Sequence, residues 1–384
     1  MIAQPVRYSP SVETLEPDEA ETNRQLTETL LKISEITWKD SGHAIRSVHA
    51  KAHGLLNAEL VVAEGLPPEL AQGLFARPGR YPVLMRFSTI PGDILDDSVS
   101  VPRGLGIKIV GVEGDRLPGS EGDATQDFLM VNGPAFAAPT AKAFLKNLKL
   151  LAGTTDKAEG LKKVLSAVLR GAEAALEAVG GESGTLKALG GHPETHILGE
   201  TFYSQAPLRY GDYIAKISLA PVSPELTILH NAHLNVNGVP NGLREAVKAY
   251  FAASSGVWEL RVQLCTDLET MPVEDSSKPW PEEQSPYVTV ATLTAPPQDS
   301  WSVANVKAID DGMAFSPWHG ITAHQPLGSI MRLRKLAYQR SAAFRSQRNE
   351  TPVTEPLTCP FGHGIAASTD SGARAAKTPP LPRR

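Results

Sequence analysis

Seven short apolar runs of the kind that form β-strands lie between residues 57 and 294. Each run is bounded by Gly, Pro, Asn or Asp, and several alternate apolar with polar residues, as half-buried strands do. They are NAELVVAE, RYPVLMRFST, GLGIKIVGV, QDFLMVN, YIAKISLAPV, WELRVQLCTD and PYVTVATLT. Because strand runs and helix runs are grouped instead of alternating, the pattern favours an α+β fold over a doubly wound parallel sheet. Seven such strands could close into an antiparallel barrel.

Helical segments flank the strand runs. Apolar residues recur at three- and four-residue spacings over residues 23–39, which predicts an amphipathic helix there. Further helices are predicted over residues 141–153, 158–181 and 327–349. The chain therefore divides into an N-terminal arm (1–22), one domain (23–350) and a proline-containing tail (351–384) that should be disordered.

Composition excludes several classes of protein. Lys and Arg number 37 against 42 Asp and Glu, for a net charge of -5, so the chain lacks the basic character that nucleic-acid binding requires. Its two cysteines, Cys265 and Cys359, lie far apart and cannot form a disulfide framework. No apolar run approaches the ~20 residues that a membrane-spanning helix needs. The acidic start lacks the features of a signal peptide, so we expect a cytoplasmic protein.

Most generic site signatures are missing from the sequence. There is no phosphate-binding glycine loop, no nucleophile elbow and no HExxH motif. His230 and His233 have a spacing that metal sites use, but no Glu or Cys completes the set, and lone histidine pairs are more often structural. Cys359 precedes a proline, as some heme thiolate ligands do, but it lies in the predicted disordered tail.

The last predicted helix carries an unusual set of side chains. Arg334 and Tyr338 are four residues apart and share one helix face, and Arg345 follows seven residues later on nearly the same face. A neighbouring guanidinium stabilises a tyrosine phenolate, and phenolate is one of the few axial ligands of heme iron. The alternative is a basic surface helix with an amphipathic tyrosine.

Motifs in the rest of the chain resemble those of the catalases. AIRSVHAKAHG carries Arg46 and His49 at the spacing of the distal catalase motif, and VLMRFST carries Arg86 and Ser88. PRGLGIKI resembles the strand that follows, and DFLMVNGPAF resembles the asparagine motif around Asn132. MAFSPWHGI and RKLAY resemble the stretch before the proximal helix and the axial-tyrosine motif. Since these motifs follow one another in the catalase order, the chain resembles a small catalase-related heme protein.

The resemblance implies an antiparallel β-barrel of about eight strands with flanking helices and a bound heme b. Tyr338 would be the iron ligand, with Arg334 keeping it ionised. Arginine forks suit carboxylates, so Arg46, Arg86 and Arg345 would pair with the heme propionates. The walls of the porphyrin pocket would include Val48, Phe136 and Phe144.

The resemblance also implies catalytic roles above the iron. His49 would take a proton from the hydroperoxide and deliver it to the departing oxygen, as a general acid-base group. Ser88 would orient His49, and Asn132 would donate a hydrogen bond to the peroxide oxygens.

Three positions depart from the catalase pattern. Val101 stands where catalases carry an aspartate in the main channel, which predicts a more apolar channel. Gly133 and Ala137 stand where a threonine and a second phenylalanine are usual, which predicts a roomier distal pocket.

We therefore expect a heme peroxidase or weak catalase that acts on hydrogen peroxide or an organic hydroperoxide, with an organic electron donor as a further partner. An alternative is a fatty-acid hydroperoxide isomerase or lyase, although heme isomerases of this fold carry threonine where this chain has Val48. Another alternative is a heme-binding barrel without turnover. The resemblance to catalases also implies a homo-oligomer, either a dimer or a tetramer.

Overall fold

A computed structural model describes residues 4–99, 101–152 and 193–360. Within these residues the chain forms one antiparallel sheet of nine strands. All seven predicted runs contain a strand, and the two short strands at Phe202–Tyr203 and Leu208–Tyr210 were not predicted. The strands are β1 (Ala52–Val62), β2 (Arg80–Thr89), β3 (Arg103–Val110), β4 (Thr125–Val131), β5 (Phe202–Tyr203), β6 (Leu208–Tyr210), β7 (Tyr213–Pro221), β8 (Gly256–Leu264) and β9 (Val288–Ala295).

The sheet closes on itself. Its strand order is β5-β4-β3-β2-β1-β9-β8-β7-β6, and β5 also pairs with β7 through Phe202 opposite Leu219. Eight strands therefore form a closed ring, and β6 extends from β7 as a ninth strand. Closure removes the unpaired edges that an open sheet would leave. The predicted antiparallel barrel of about eight strands is confirmed.

Side chains that alternate along each strand fill the inside of the ring. On β2, Val83, Met85 and Phe87 point into a large buried apolar cluster, while Arg86 and Ser88 point to the other face. The ring of Phe87 packs edge-on against Phe202, with centroids 5.8 Å apart. This packing leaves the outer face of β2–β4 free to form a second layer with helices.

Four helices of at least ten residues flank the barrel in the described chain: α1 (Glu19–Ser41), α2 (Ala141–Ala152), α3 (Gly242–Phe251) and α4 (Ser329–Arg348). The predicted helices at 23–39, 141–153 and 327–349 correspond to α1, α2 and α4, whereas α3 was not predicted. The predicted helix at 158–181 lies outside the described residues. Helix α1 begins at Glu19, four residues before its predicted start, and Glu19 accepts hydrogen bonds of 2.7 and 2.8 Å from Arg332.

Helices α1, α2 and α4 pack together through a separate apolar cluster. Its buried members include Leu26, Leu30, Leu145, Leu148 and Leu333. Shorter helical turns occur at Pro10–Val12, Gly73–Phe75, Ile197–Gly199, Pro224–Thr227, Val303–Asn305 and Thr322–His324, and a π-helix spans Val306–Asp311. No helix in the described ranges is long and apolar enough to cross a membrane.

Both ends of the described chain contact the barrel. In the N-terminal arm, the amide of Val6 donates to the carbonyl of Cys265 at 2.8 Å. After α4, residues 351–360 form neither helix nor strand, and Glu355 enters a buried ionic cluster with Lys108 and His319. The disorder predicted for the tail remains a prediction for residues 361–384, which lie outside the described ranges.

Candidate active site

A cavity that is partly open to solvent lies between the outer face of β2–β4 and helix α4. The sheet side is formed partly by Gly104, Gly106 and Leu129, and the helix side by Arg334 and Tyr338. Most of the predicted site residues border this one cavity, namely Arg46, Val48, His49, Arg86, Ser88, Arg334 and Tyr338. They come from three separate stretches of sequence, and the closed barrel brings them together.

His49 is held against the sheet in a fixed orientation. Its φ of 53° is rare for a residue other than glycine and indicates local strain. Nδ1 of His49 lies 3.1 Å from Oγ of Ser88, whose hydroxyl donates to the carbonyl of Gly104 at 3.4 Å. Ser88 therefore accepts from Nδ1–H, which leaves Nε2 of His49 with a free lone pair.

The surroundings of His49 keep its imidazole neutral. Burial lowers the pKa of His49 to about 3, and the guanidiniums of Arg86, Arg334 and Arg46 contribute to the decrease. A neutral imidazole with a free Nε2 can accept a proton from a bound substrate.

Arg334 and Tyr338 face the cavity from consecutive turns of α4. The Arg334 guanidinium lies 5.6 Å from the ring centroid of Phe136, and its Nη1 is 3.7 Å from Sδ of Met331. Among the described residues, no carboxylate forms an ion pair with Arg334, and no group forms a hydrogen bond with the Tyr338 hydroxyl. The half-buried phenol of Tyr338 is therefore available as a ligand.

The three arginines predicted to bind propionates converge on the π-helix. Oδ1 of Asp310 accepts hydrogen bonds from Arg46 Nη1 and, at 2.8 Å, from Arg86 Nε. Arg345 donates to the carbonyls of Asp310 at 2.9 Å and Met313 at 2.8 Å. Nε of Arg345 is buried without a hydrogen-bond partner. Three arginines thus meet at Asp310, two at its carboxylate and one at its main-chain carbonyl.

Sequence reasoning missed Asp310. Its only local signal is the pair of consecutive aspartates just before the MAFSP motif. Nothing in that pair indicates that the chain forms a π-helix there, and π-helices are frequent at functional sites.

The two phenylalanines predicted to line the pocket lie beside the cavity. Their rings, Phe136 and Phe144, are 5.1 Å apart at an angle of 60°. Both pack with Val48 and Tyr338 against the apolar cluster of α1, α2 and α4. They support the residues that face the cavity from that side.

Asn132 is not brought to the cavity. Its Oδ1 accepts from the amide of Arg103 at 2.9 Å, and its Nδ2 donates to Glu200. The buried guanidinium of Arg103 also pairs with Glu200, so the carboxylate holds the amide of Asn132 in this cluster. Sequence spacing could not reveal Glu200, because it lies 68 residues from Asn132.

Gln205 borders the cavity beside Gly133. Its Nε2 donates to the carbonyls of Gly133 at 3.0 Å and Ala135 at 2.6 Å. A Cβ at position 133 would lie 3.9 Å from this nitrogen, which is an ordinary contact distance. The roomier distal pocket expected from Gly133 and Ala137 stays a prediction.

Val101 borders a small cavity separate from that of His49 and Tyr338. Asp96, Asp97 and Arg103 line it together with apolar residues that include Val99 and Leu243. Asp97 pairs with the buried Lys51 at 2.7 Å. The apolar channel expected at Val101 stays a prediction.

The histidine pair considered as a metal site has separate partners. Nδ1 of His230 is 3.3 Å from the carbonyl of Gly199, and Nε2 of His233 is 3.7 Å from Glu194. Within the described ranges, a group with metal-ligand spacing is formed by Asp127, His319 and Glu355. Nζ of Lys108 lies 2.8 Å from both Asp127 oxygens, so a lysine already supplies positive charge there.

The fold is shared with solved catalase structures. A fungal catalase is 18% identical with a TM-score of 0.56, and the match covers 91% of this chain and 74% of that chain. Catalase A from Saccharomyces cerevisiae is 14% identical with a TM-score of 0.57, over 100% of this chain and 82% of that one. A bacterial catalase is 14% identical with a TM-score of 0.58, over 98% and 70%. No family model and no curated protein matches the sequence.

At these identities the likeness establishes the fold. The chain has the closed barrel and flanking helices of the catalase fold.

Proposed function

We propose that the protein decomposes hydroperoxides with a bound heme b, as a peroxidase with or without catalase activity. The observation that carries this proposal is the placement of His49 and Tyr338 around one cavity, with an arginine cluster at its border. A hydroperoxide-cleaving heme site needs an axial ligand, an acid-base group and a binding site for propionates.

The residues present fit heme b. Arg46, Arg86 and Arg345 carry three positive charges and Asp310 carries one negative charge, so the four side chains together have a net charge of +2. The two propionates of heme b would balance that charge. The unpartnered Nε of Arg345 supplies a further free donor.

The sheet wall suits a flat ring. Gly104 and Gly106 border the cavity together with the rings of His49 and Phe315. A Cβ at Gly104 would lie 2.3 Å from Cε1 of His49, and one at Gly106 would lie 3.0 Å from the ring of Phe315, so the two glycines make room for these rings. A porphyrin face can pack against the flat rings of His49 and Phe315.

Tyr338 is the residue that would ligand the iron. The guanidinium of Arg334, one helical turn earlier, stabilises negative charge on the phenolate oxygen. When bound, heme would supply the iron centre at which the O–O bond is cleaved and which takes up the oxidising equivalents.

His49 moves the proton. Its neutral Nε2 accepts the proton of the hydroperoxide and returns it to the oxygen that departs as water or alcohol. Ser88 holds the ring for both transfers through its contact with Nδ1. Asn132 has no part in this proposal, because its amide is bound to Glu200.

The oxidised protein would then be reduced by a second hydrogen peroxide or by an organic donor. To test the proposal, heme b is added to the purified protein and the Soret band is recorded. Oxygen release from hydrogen peroxide, and oxidation of a chromogenic donor with cumene hydroperoxide, are then measured. We expect donor oxidation with at least one hydroperoxide, and loss of it in His49→Ala with the Soret band retained.

The same preparation separates the alternatives. Consumption of a fatty-acid hydroperoxide without any donor would indicate an isomerase or lyase. A Soret band without any hydroperoxide reaction would indicate a heme-binding barrel. Full activity in His49→Ala would contradict the role of His49, and His43→Gln, an exposed substitution outside the cavity, is the control.

A further inference from the structure

Asp310 lies at the centre of the three arginines that we assign to the heme propionates. Its carboxylate accepts hydrogen bonds from Arg46 and Arg86, and its main-chain carbonyl accepts one from Arg345. The side chains of Arg46, Arg86 and Asp310 are 14%, 4% and 19% exposed. In the described part of the chain, no other carboxylate forms an ion pair with these arginines.

This cluster depends on its one anion. Burial lowers the pKa of Arg46, and the guanidiniums of Arg86 and Arg345 lower it further. Burial lowers the pKa of Arg345 to about 10. For Asp310, burial favours the neutral acid, but Arg86 and Arg46 together hold the carboxyl pKa below its usual value. The carboxylate therefore stays charged and offsets the mutual repulsion of the arginines.

We propose that Asp310 is an internal counter-anion for the propionate site: it holds Arg46 and Arg86 together in the protein without cofactor, and the heme propionates share that task once heme is bound. The inference rests on the proposed function. The Asp310 carboxylate should therefore stabilise the cofactor-free protein more than the heme-bound protein, because heme b brings two carboxylates of its own.

The neighbouring Asp311 provides a matched control. Its carboxylate lies in the same π-helix but pairs with His43, at 2.9 Å, and does not contact the arginines. Arg345 meets Asp311 only through its main-chain carbonyl, at 3.2 Å, so Asp311→Asn keeps that hydrogen bond. Comparing Asp310→Asn with Asp311→Asn isolates the loss of charge at the cluster.

The experiment measures thermal unfolding of the full chain without cofactor, with heme b and with heme b dimethyl ester, whose propionates are uncharged. Without cofactor, Asp310→Asn should lower Tm by about 5 °C or more, and Asp311→Asn by at most about 2 °C. Heme b should raise the Tm of Asp310→Asn more than it raises that of the wild type. The dimethyl ester should raise both equally.

Equal Tm values for the two cofactor-free variants would overturn the proposal, and so would equal heme-induced shifts in Asp310→Asn and the wild type. Asp310→Glu keeps the charge and should recover most of the lost Tm. If Asp310→Asn does not fold alone, rescue by heme b and not by the ester supports the proposal, and rescue by neither contradicts it. A wild-type protein that forms no Soret band would instead contradict the proposed function, and the cofactor-free comparison would still test Asp310.

Discussion

Nδ1 of His49 lies 3.1 Å from Oγ of Ser88, and the same hydroxyl lies 3.4 Å from the carbonyl of Gly104. Ser88 on β2 is the register partner of Gly104 on β3, so two adjacent strands hold the imidazole. The ring of His49 rests where Gly104 has no side chain. Strand pairing thus sets the orientation of the proposed acid-base group.

Removing the hydroxyl of Ser88 should impair catalysis more than folding. In Ser88→Ala the imidazole loses the group that fixes its Nδ1, so kcat/KM for the hydroperoxide should fall by about 10-fold or more while heme still binds. Steady-state kinetics and the Soret band give the two readouts. Ser285→Ala is the control, because it removes a buried hydroxyl that donates to the carbonyl of Leu264 at 2.6 Å, outside the cavity. Wild-type kcat/KM in Ser88→Ala would contradict the positioning role.

Adding one methyl group at Gly104 should displace His49. A Cβ there would lie 2.3 Å from Cε1 and 2.4 Å from Nδ1 of the imidazole, so the ring must move. We expect Gly104→Ala to lose most peroxide reactivity and about 1–3 kcal/mol of stability from overpacking. Gly122→Ala, where no atom lies within 4 Å of the new Cβ, should leave both nearly unchanged. Urea unfolding and stopped-flow mixing with hydrogen peroxide measure the two effects.

Replacing Tyr338 should change the spectrum of the heme-loaded protein. Tyr338→Phe removes the only atom of that side chain that could bind iron, so the Soret band should shift or heme should no longer be retained after gel filtration. Tyr203→Phe is the control, because Tyr203 packs against Tyr287 outside the cavity. An unchanged spectrum in Tyr338→Phe would exclude it as the axial ligand.

The contact of the tail with the barrel, between Glu355 and His319, should weaken at alkaline pH. Nδ1 of His319 lies 3.0 Å from Glu355 and 3.3 Å from Asp127. Burial alone would lower the pKa of His319, but its contacts with these two carboxylates raise it to about 9, from 6.5. The stabilisation that protonated His319 contributes to the folded protein is therefore complete below pH 6.5 and is lost as pH rises through about 9.

Urea unfolding at pH 6 and pH 9.5 checks this expectation. The wild type should lose about 1–3 kcal/mol between the two values, whereas His319→Gln should start lower and lose less. The same loss in both proteins would show that another group titrates.

Local patterns in the sequence predicted most of the strands and three helices. Alternation and turn residues are short-range signals, so β2 was predicted over its full length from Arg80 to Thr89. Helix α4 and the shared face of Arg334 and Tyr338 follow from a period that needs no tertiary information. Strands β5 and β6 were missed because two or three residues are too few to show a period.

The motifs also predicted His49, Ser88 and Tyr338 as site residues, and the structure brings all three to one cavity. Sequence alone could not place Asn132, Gln205 or Asp310. The amide of Asn132 donates to the carboxylate of Glu200, 68 residues away, and Asp310 accepts from Arg46, 264 residues away. Such electrostatic partners attract one another strongly only after burial removes water from between them.

The sequence by itself therefore determined most of the elements, their order and the chemistry that each could offer. Tertiary structure decided which charges meet. Ring closure through β5 and β7 brings β2–β4, α4 and the π-helix around one cavity, and pairing of buried charges then selects Asp310 for the arginines and Glu200 for Asn132. A local sequence pattern cannot predict these contacts, because each one joins residues that are distant along the chain.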